Sequence, residues 1–408
     1  MKSKKDDNYI EIGYKFRIYP TEEQKAFFEK HFGCVRFIYN YLLNLKIEAY
    51  KKDKKVSGYE AKRYIAKLKK QEDCKWLSEV NSQSLQEAAI DLDKAYMRFF
   101  KKLAAYPNFK KKGNEQKFKI PQHFYLSKKG YLKIPKLKSS VKVNVHRKIE
   151  GDINHITISK TPTGKYFASL NCTIAKNKVI TNKDNRVDKI GIDLGTQSFI
   201  ATDKGLKIKA PSFLRILERR LGTAQKSLSR KRKYSANYNK QRIAIAIIHE
   251  KISNQRQDFA HKLSFKIIDE NQAIYLEDLN VKGMIRNRHL SKSISDVGWG
   301  EFTRQLKYKS IWRDKELVQI GRFEASSKIC NVCDWKNKDL KLSQRKWLCQ
   351  ECETFHDRDI NAAKNILKIG QDMPDSKPVE KSTAVFSFKK RQVGSVKQEP
   401  ISLYEDAR

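Results

Sequence analysis

The spacing of apolar and polar residues divides the chain into a helical part followed by parts that contain strands. Residues 9–18 alternate between apolar and polar side chains, which predicts a strand. Thr21 and Gln24, which follow Pro20, match a capping box and predict a helix that runs to about Tyr50. The chain therefore opens with one strand and one long helix.

Two further helices are predicted before residue 101. A turn at Ser57 and Gly58 opens the first of them, and Asn81 and Ser82 precede the second. The second has apolar residues at the spacing of one helix face, namely Leu85, Ala88, Ala89, Leu92, Ala95, Tyr96 and Phe99. The first hundred residues are thus predicted to form a strand and a helical bundle.

Residues 117–175 show short alternating runs, which are typical of antiparallel strands. Two of these runs flank Pro162–Lys165, a sequence that favours a hairpin turn. We predict a small β-domain here, completed as a barrel by the strand near residue 15. A polar linker is predicted at 176–187.

The third region begins with an apolar strand at Lys189–Gly195 and mixes strands with long helices. It also encloses four of the seven cysteines. From about Gly370 the periodicity ends, and Pro374 and Pro378 lie in a polar sequence, so a poorly ordered tail is expected.

Charge points to the class of partner. The 408 residues include 86 Lys and Arg against 46 Asp and Glu, a formal net charge of +40. Self-repulsion on this scale opposes a compact fold unless a polyanion neutralises it, so nucleic acid is the expected partner, ahead of an anionic membrane surface. With 39% hydrophobic residues, the chain is too apolar to be intrinsically disordered. A folded, multidomain nucleic-acid-binding protein is predicted.

The positive charge is concentrated in two runs. Residues 101–148 hold 15 Lys and Arg against Glu115 alone, and residues 215–262 hold 13 against three acids. Both runs interleave aromatic and amide side chains, a mixture suited to phosphate binding and base stacking. These side chains are Phe109, Phe118, Gln122, Phe124, Tyr125, Tyr234, Asn237, Tyr238 and Gln241.

Nothing in the sequence indicates a membrane protein. There is no run of about 18 apolar residues, and Met1–Asn8 lacks the apolar stretch of a signal peptide. We therefore expect a cytoplasmic protein, in the prokaryotic cytoplasm or nucleoid, with no membrane partner and with free thiols rather than disulfides. Cys34, Cys74 and Cys172 are expected to act as small buried hydrophobic residues.

The other four cysteines predict a metal site. Cys330 and Cys333 form one C-x-x-C knuckle, and Cys349 and Cys352 form a second one after a spacer of 15 residues. Two such knuckles can close a tetrahedral site of four thiolates around Zn²⁺, with no position left open for a substrate. We therefore predict a structural zinc ribbon without a catalytic role.

Three groups of acids occur at the ends of apolar strands or at a helix start. Asp193 lies in the strand that opens the third region, Glu277 and Asp278 end a later strand, and Asp357 and Asp359 precede a helix. Each group alone is most simply a cap. Together they could form a cluster of oxygen ligands suited to Mg²⁺ and to phosphodiester hydrolysis. The residues themselves do not choose between Glu277 and Asp278, or between Asp357 and Asp359.

The order of these motifs resembles the TnpB family of transposon-encoded, RNA-guided DNA nucleases, which are relatives of type V CRISPR effectors. The resemblance runs to about residue 368. The segments that carry it are Lys15–Thr21 with Gln24, Trp76–Val80, Gln86, Ala95–Tyr96, Gly191–Gly195, Leu228–Lys231, Asn254–Phe259, His261–Ser264, Leu276–Leu279, Ser293–Asp296, Gly298–Phe302, the four cysteines and Asp357–Ala363.

The resemblance implies a multidomain α/β and β protein. It would have a RuvC-like nuclease domain of RNase H-like fold with an inserted zinc ribbon, and an N-terminal wedge-type β-barrel with an inserted helical recognition bundle. The implied catalytic residues are Asp193, Glu277 and Asp359, which would also hold two Mg²⁺ ions. The implied segments are 1–20 (first barrel strand), 21–105 (helical module), 106–182 (rest of the barrel), 186–325 (nuclease domain), 326–355 (zinc ribbon), 356–369 (last nuclease helix) and 370–408 (tail).

The function implied by the resemblance is RNA-guided cleavage of double-stranded DNA. The partners would be a structured guide RNA from the protein's own transposon locus and a target duplex marked by a short adjacent motif. A monomeric protein with one RNA is expected, with an oligomer as the alternative. The single RuvC site would cut both strands in turn. The residues expected to contact nucleic acid are Ser57, Tyr59, Ser82, Gln83, Gln86, Gln122, Arg230, Lys231, Arg232 and Arg256.

Four other functions are compatible with parts of this pattern. The protein could be a nuclease-inactive or weakly active RNA-guided regulator, although all three acids are present. A miniature type V CRISPR effector would share the same motifs. A plain DNA transposase would not place a zinc ribbon just before the last acid, and an RNA-binding scaffold would leave the three acids unexplained.

Overall fold

The computed structural model describes residues 8–113, 116–176, 188–286, 291–321, 327–341 and 343–372. The predicted linker and tail lie almost wholly outside these residues. Contacts divide the described chain into two compact units, one ending at Ala175 and one after it. Every helix among the described residues is either too short or too polar to cross a lipid bilayer.

The first unit contains the predicted helical bundle. Its helices are α1 (Glu22–Lys51), α2 (Gly58–Leu68), a 3₁₀ helix (Glu72–Ser78) and α3 (Ser82–Phe100). The predicted capping box is present at the start of α1, where Thr21 Oγ1 accepts a hydrogen bond from the Gln24 backbone N–H and Gln24 Oε1 accepts one from the Thr21 N–H. Ser57 and Glu60 form the same arrangement at α2.

Seven antiparallel strands form the sheet of this unit, a half-barrel. The first strand pairs with β5 on one side and β7 on the other, so the opening strand completes the β-domain as predicted. The spatial order is β2-β6-β7-β1-β5-β4-β3. The strands are β1 (Tyr9–Tyr19), β2 (Gln116–Ile120), β3 (Tyr125–Leu126), β4 (Tyr131–Lys133), β5 (Val141–Asn144), β6 (Asp152–Lys160) and β7 (Tyr166–Ala175).

The core of the first unit corrects one expectation. Phe118, expected to stack on nucleic acid, is only 2% exposed and packs against Phe28, His31 and Phe32. It lies on the inner face of β2, because alternate residues of a strand point to opposite faces and Phe118 points inward. Tyr125 of the same basic run is exposed. The three scattered cysteines are all buried, as predicted.

The second unit is built on a five-stranded mixed sheet. Its order is β10-β9-β8-β11-β12, with β8, β11 and β12 parallel and β9 antiparallel to β8. The strands are β8 (Lys189–Leu194), β9 (Ser198–Thr202), β10 (Lys207–Lys209), β11 (Ala273–Glu277) and β12 (Glu316–Ile320). Its helices are α4 (Phe213–Ser229), α5 (Ala236–Glu270), α6 (Val281–Met284), α7 (Ser291–Val297), α8 (Trp299–Arg313) and α9 (Arg358–Asp372).

Helix α9 lies directly on this sheet because two glycines make room for it. A Cβ on Gly191 of β8 would stand 2.2 Å from the carbonyl oxygen of Ala363, and a Cβ on Gly370 would stand 2.3 Å from the Tyr275 ring. Only glycine permits so close an approach between backbone and neighbour. The glycine in the Ile190–Asp193 strand therefore places the helix over the strand that carries the acid.

The cysteines lie in a small ribbon between α8 and α9. Its hairpin pairs β13 (Lys346–Leu348) with β14 (Phe355–Asp357), and the second cysteine knuckle forms the turn between them. Helix α9 begins at the residue after β14, so the ribbon leads straight into the helix that carries Asp359.

Candidate active site and metal centre

Two of the predicted acids lie at the carboxyl ends of neighbouring parallel strands, Glu277 as the last residue of β11 and Asp193 one residue before the end of β8. In the pairing of β11 with β8, Leu276 lies opposite Ile192, and the same register continued by one residue places Glu277 beside Asp193. The pKa of Asp193 is raised to about 7, because burial disfavours its charged form and the negative charges of Asp359 and Glu277 add to this effect. Positive charge on Arg358 and Arg345 only partly offsets it. The structure thus brings Asp193, Glu277 and Asp359 together.

Glu277 has a similar environment. Burial raises its pKa, and the neighbouring charge of Asp278 raises it further. Strand β11 ends at Glu277, and the backbone N–H of Asp278 still donates to the carbonyl oxygen of Ile320 in β12 at 3.2 Å. Glu277 is therefore the acid of this pair that lies level with Asp193 on the sheet.

Asp357 and Asp359 have different positions at the start of α9. One oxygen of Asp357 accepts from the backbone N–H groups of Asp359 and Ile360, at 3.1 and 3.2 Å, which is the geometry of a helix cap. Burial would raise the pKa of Asp357, but the hydrogen bonds from Lys207 and from these backbone groups outweigh it and lower the pKa. The side chain of Asp357 is thus used to start the helix.

Asp359 is held by two basic side chains. Lys207 Nζ lies 3.1 Å from Asp359 Oδ2 and 2.6 Å from Asp357 Oδ1, and Arg345 Nη1 lies 3.1 Å from Asp359 Oδ1. Burial lowers the pKa of Lys207, yet the two carboxylates outweigh it and raise that pKa. Neither base was identified from the sequence, since Lys207 is 152 positions from Asp359 and nothing in its local pattern marks it.

The four ribbon cysteines form a tight ligand set. Their sulfur atoms all lie within 4.8 Å of one another, with Cys330 and Cys352 3.6 Å apart and Cys333 and Cys349 3.5 Å apart. Four thiolates around Zn²⁺ at about 2.3 Å would be separated by about 3.8 Å, so the geometry fits a tetrahedral zinc site. Among the described residues only this set is so compact, and the three carboxylates are spaced more widely.

Some of the predicted nucleic-acid contacts on the helical module form hydrogen bonds within the protein, and the others have exposed side chains. Gln83 Nε2 donates to Gln122 Oε1 at 3.1 Å, which joins α3 to the loop after β2. Ser57 caps α2, and Ser82 accepts from Lys69 Nζ at 2.6 Å. The structure therefore brings together Gln83 and Gln122, while Tyr59 and Gln86 are exposed.

The predicted contacts in the 215–262 run also differ among themselves. Arg230 and Lys231 line an open depression of about 350 Å³ at the end of α4, and Arg232 is exposed beside it. Arg256 instead pairs with Asp296 at 2.6 Å, and Asp296 also accepts from the Leu214 backbone N–H. A nucleic-acid role for Arg256 stays a prediction, and its observed role is to join α5, α7 and the start of α4.

Comparisons with known proteins place these sites in a family. Residues 170–288 match the OrfB_IS605 family, described as a probable transposase, and residues 299–366 match the Cas12f1-like TNB domain. Residues 10–55 match a helix-turn-helix domain of the same OrfB_IS605 group. In the structure this last segment is a strand followed by the single helix α1.

Several curated relatives cover most of the chain. A protein of Streptomyces pristinaespiralis named "Putative RNA-guided DNA endonuclease" is 36% identical over 365 residues, which cover 88% of this chain and 90% of that protein. "Putative RNA-guided DNA endonuclease InsQ" of Escherichia coli (strain K12) is 29% identical, covering 88% of this chain and 92% of that protein. A TnpB-like protein of Methanocaldococcus jannaschii, MJ0751, is 28% identical over 141 residues, 32% of this chain and 49% of that protein.

A solved structure supports the expected fold. The chain is similar to the protein in the cryo-EM structure of a Cas12f1–sgRNA–target DNA complex, with a TM-score of 0.53 over 88% of this chain and 99% of that one. Sequence identity is 14%, so this likeness concerns the fold alone. Together with the mixed sheet and the cysteine ribbon, it confirms the expected multidomain fold, in which an α/β domain with an inserted ribbon accompanies a β-domain. The chain belongs to the TnpB family, as its 36% identity to a relative over 88% of its length shows.

Proposed function

We propose that the protein is an RNA-guided DNA endonuclease that hydrolyses phosphodiester bonds at Asp193, Glu277 and Asp359. The observation that carries this proposal is the meeting of three carboxylates in the second unit: the strand register places Glu277 beside Asp193, and the charges of Asp359 and Glu277 add to burial in raising the pKa of Asp193. Perturbed acids of this kind are typical of functional sites. The names of the relatives that span the chain support the RNA-guided activity.

The three acids fit divalent metal ions. Arg345 and Arg358 do not supply enough positive charge to bring the pKa of Asp193 back to its ordinary value, so a cation would be stabilised here. Carboxylate oxygens are the protein ligands that Mg²⁺ prefers. When bound, two such ions stabilise the attacking and the leaving oxygen of a phosphodiester. Asp193 and Glu277 would hold them from the sheet, and Asp359 from the helix.

The surrounding residues would orient this site. Asp357 fixes the first turn of α9 through two backbone hydrogen bonds, and Lys207 and Arg345 hold the Asp359 carboxylate from both of its oxygens. A ligand held by its neighbours in this way loses less freedom when a metal binds. Zn²⁺ in the four-cysteine ribbon would be structural, since all four positions are filled by thiolates.

Specificity would come from base pairing between a bound guide RNA and one DNA strand. The basic runs at 101–148 and 215–262 would bind phosphates, and the helical module would read a short motif beside the target. The Gln83–Gln122 pair is a candidate for that reading, because a glutamine amide can bond adenine at two positions. The domain boundaries given above, one RNA per chain, and a cytoplasmic or nucleoid location belong to this proposal.

The test is a plasmid cleavage assay. The protein is co-expressed with the transcript that flanks its gene, purified, and mixed with plasmids that carry the matching target beside randomised flanking motifs, with and without Mg²⁺. We expect linear product only with the matching target, one class of flanking motif and Mg²⁺, and none with Asp193→Ala. Binding without cleavage by the unaltered protein would instead indicate an RNA-guided regulator.

A further inference from the structure

The zinc ribbon and helix α9 are joined by buried amide hydrogen bonds. Asn361 and Asn365 are 1% and 2% exposed, and both donate to the carbonyl oxygen of Ile329, at 2.7 and 2.6 Å. Asn361 Oδ1 also accepts from the backbone N–H of Asn331 at 3.0 Å. Ile329 and Asn331 are the residues on either side of Cys330. One side chain of the helix therefore binds the backbone on both sides of a metal ligand.

A second link leads from the ribbon to the residues just before the helix. His356 Nε2 lies 3.1 Å from Cys330 Sγ, and the His356 ring packs against Trp347 with centroids 4.6 Å apart. Trp347 and His356 are also directly paired across the β13–β14 hairpin. A ring N–H donated to a coordinating sulfur orients the ligand and the strand that carries the histidine.

A third link reaches the candidate catalytic acid itself. Arg345 lies between the two cysteine knuckles, and its Nη1 is 3.1 Å from Asp359 Oδ1. The Arg345 carbonyl oxygen accepts from the backbone N–H of Arg358, the first residue of α9, at 2.8 Å. The side chain and the backbone of one ribbon residue thus both contact the first turn of the helix.

Asn361 is the most buried of these links to the helix. It lies two residues after Asp359, so the two side chains belong to the same turn of α9. A buried amide that loses one of its two partners leaves a polar group unsatisfied, so its two bonds act together. Asn365 binds the same carbonyl but lies one further turn away from Asp359, which makes it a matched control.

We propose that Asn361 is a positioning residue, through which the four-cysteine site sets the orientation of Asp359 and the affinity of the acid cluster for its divalent metal. The inference deepens the proposed function, and its cleavage measurement rests on that function. Zinc binding at the ribbon and metal binding at the acids are then coupled, although the cysteines supply no ligand to the second site.

The primary test is direct metal binding by purified protein without RNA or DNA. Mn²⁺ binding is followed by electron paramagnetic resonance, and zinc content by elemental analysis, for the unaltered protein, Asn361→Ala, Asn365→Ala and Asp193→Ala. We expect Asn361→Ala to keep one zinc per chain and to bind Mn²⁺ about 10- to 100-fold more weakly, the range seen when outer-shell partners of metal ligands are lost. Asn365→Ala should lose about threefold or less, and Asp193→Ala should lose this binding.

A cleavage measurement separates positioning from general damage to the fold. For Asn361→Ala we expect the Mg²⁺ concentration for half-maximal cleavage to rise about 10-fold or more, and saturating Mg²⁺ to restore most of the rate. Thermal unfolding without metal detects a loss of stability separately, because metal binding itself stabilises the folded state. If Asn361→Ala does not fold, Asn361→Ser, which retains a smaller polar group at this position, should show intermediate Mn²⁺ affinity.

Two results would overturn the inference. The first is an Asn361→Ala protein that keeps its zinc and binds Mn²⁺ as tightly as the unaltered protein does. The same result in Asn361→Ser counts equally if that variant is used instead. The other is an equal loss in Asn361→Ala and Asn365→Ala. Neither result depends on guide RNA, so failure of RNA-guided cleavage would leave the Mn²⁺ comparison intact and would count only against the proposed function.

Discussion

Glu277 lies beside Asp193 on the adjacent parallel strand, so two carboxylates 84 positions apart in the chain meet at one end of a sheet. Parallel pairing brings the carboxyl ends of both strands to the same edge, and each acid is the last or next-to-last residue of its strand. Asp359 reaches the same place from a helix that only glycine at position 191 allows to lie on β8. The predictions below test these relationships separately.

Replacement of Glu277 by glutamine should lower the cleavage rate far more than replacement of Asp278 by asparagine. We expect Glu277→Gln to lower the cleavage rate by more than about 100-fold, because it removes a charged oxygen ligand level with Asp193, where even outer-shell changes cost 10- to 100-fold. Asp278→Asn, one residue past the strand, serves as the control and should retain most activity. Both variants should bind guide RNA and target DNA normally. Equal losses of cleavage rate in the two variants would show that the strand register does not determine which acid takes part in catalysis.

Gly191→Ala should displace α9 from the sheet. The added Cβ would stand 2.2 Å from the Ala363 carbonyl oxygen, and overpacking of this kind costs about 1–3 kcal/mol. We expect a lower melting temperature together with loss of cleavage. The control is Gly222→Ala in α4, where a Cβ meets nothing within 4 Å and alanine favours the helix by up to about 1 kcal/mol. A Gly191→Ala protein as stable and active as the unaltered chain would contradict the close packing.

Cys330→Ser should remove the zinc. Elemental analysis is expected to give about one zinc per chain for the unaltered protein and much less for this variant, because three thiolates and a hydroxyl bind the ion weakly. Cys74→Ser replaces a buried thiol outside the ribbon and should keep its zinc. Zinc retained by Cys330→Ser, or zinc absent from the unaltered protein, would rule out the four-thiolate site.

Protonation of His31 should make the first unit less stable at acidic pH. Its Nδ1 lies 3.0 Å from the Phe27 carbonyl oxygen, and its Nε2 accepts from the Asn81 backbone N–H at 3.1 Å, so the folded protein requires the neutral ring. Burial lowers the pKa of His31 from 6.5 to about 4, with a hydrogen bond from its ring to Phe27 opposing this and the charge of Lys136 adding to it. The folded-state pKa is below the unfolded one, so this stability is present above pH 6.5 and is lost as pH falls from 6.5 towards 4.

The shift corresponds to about 3 kcal/mol in total, of which about 2 kcal/mol should be lost between pH 7 and pH 5. Urea unfolding of the first unit at fixed ionic strength measures this change. His31→Gln should be less stable at pH 7 but should lack this part of the pH dependence. An unchanged slope between pH 7 and pH 5 in His31→Gln would assign the effect to other groups.

Much of the local structure could be predicted because it depends on neighbours in the sequence. The capping boxes at Thr21 and Ser57, the helical spacing of α3 and the hairpin before Tyr166 each involve residues a few positions apart. The cysteine knuckles belong to the same class, since a C-x-x-C turn already directs two sulfur atoms to one point. The predicted set of three acids is brought together in the structure, although its catalytic role stays a proposal.

The sequence alone determined the sites that short-range spacing encodes: the helix caps, the zinc ligands and the acids at the ends of apolar strands. Only the tertiary structure decided which face of β2 carries Phe118, and that Asp357 caps a helix while Lys207 and Arg345 hold Asp359. It also showed that Asn361 binds the backbone on both sides of Cys330. These features depend on the packing of segments that are distant in the chain: the register of strands, the contact of a helix with a glycine, and an ion pair between residues 152 positions apart. Local periodicity does not encode such packing.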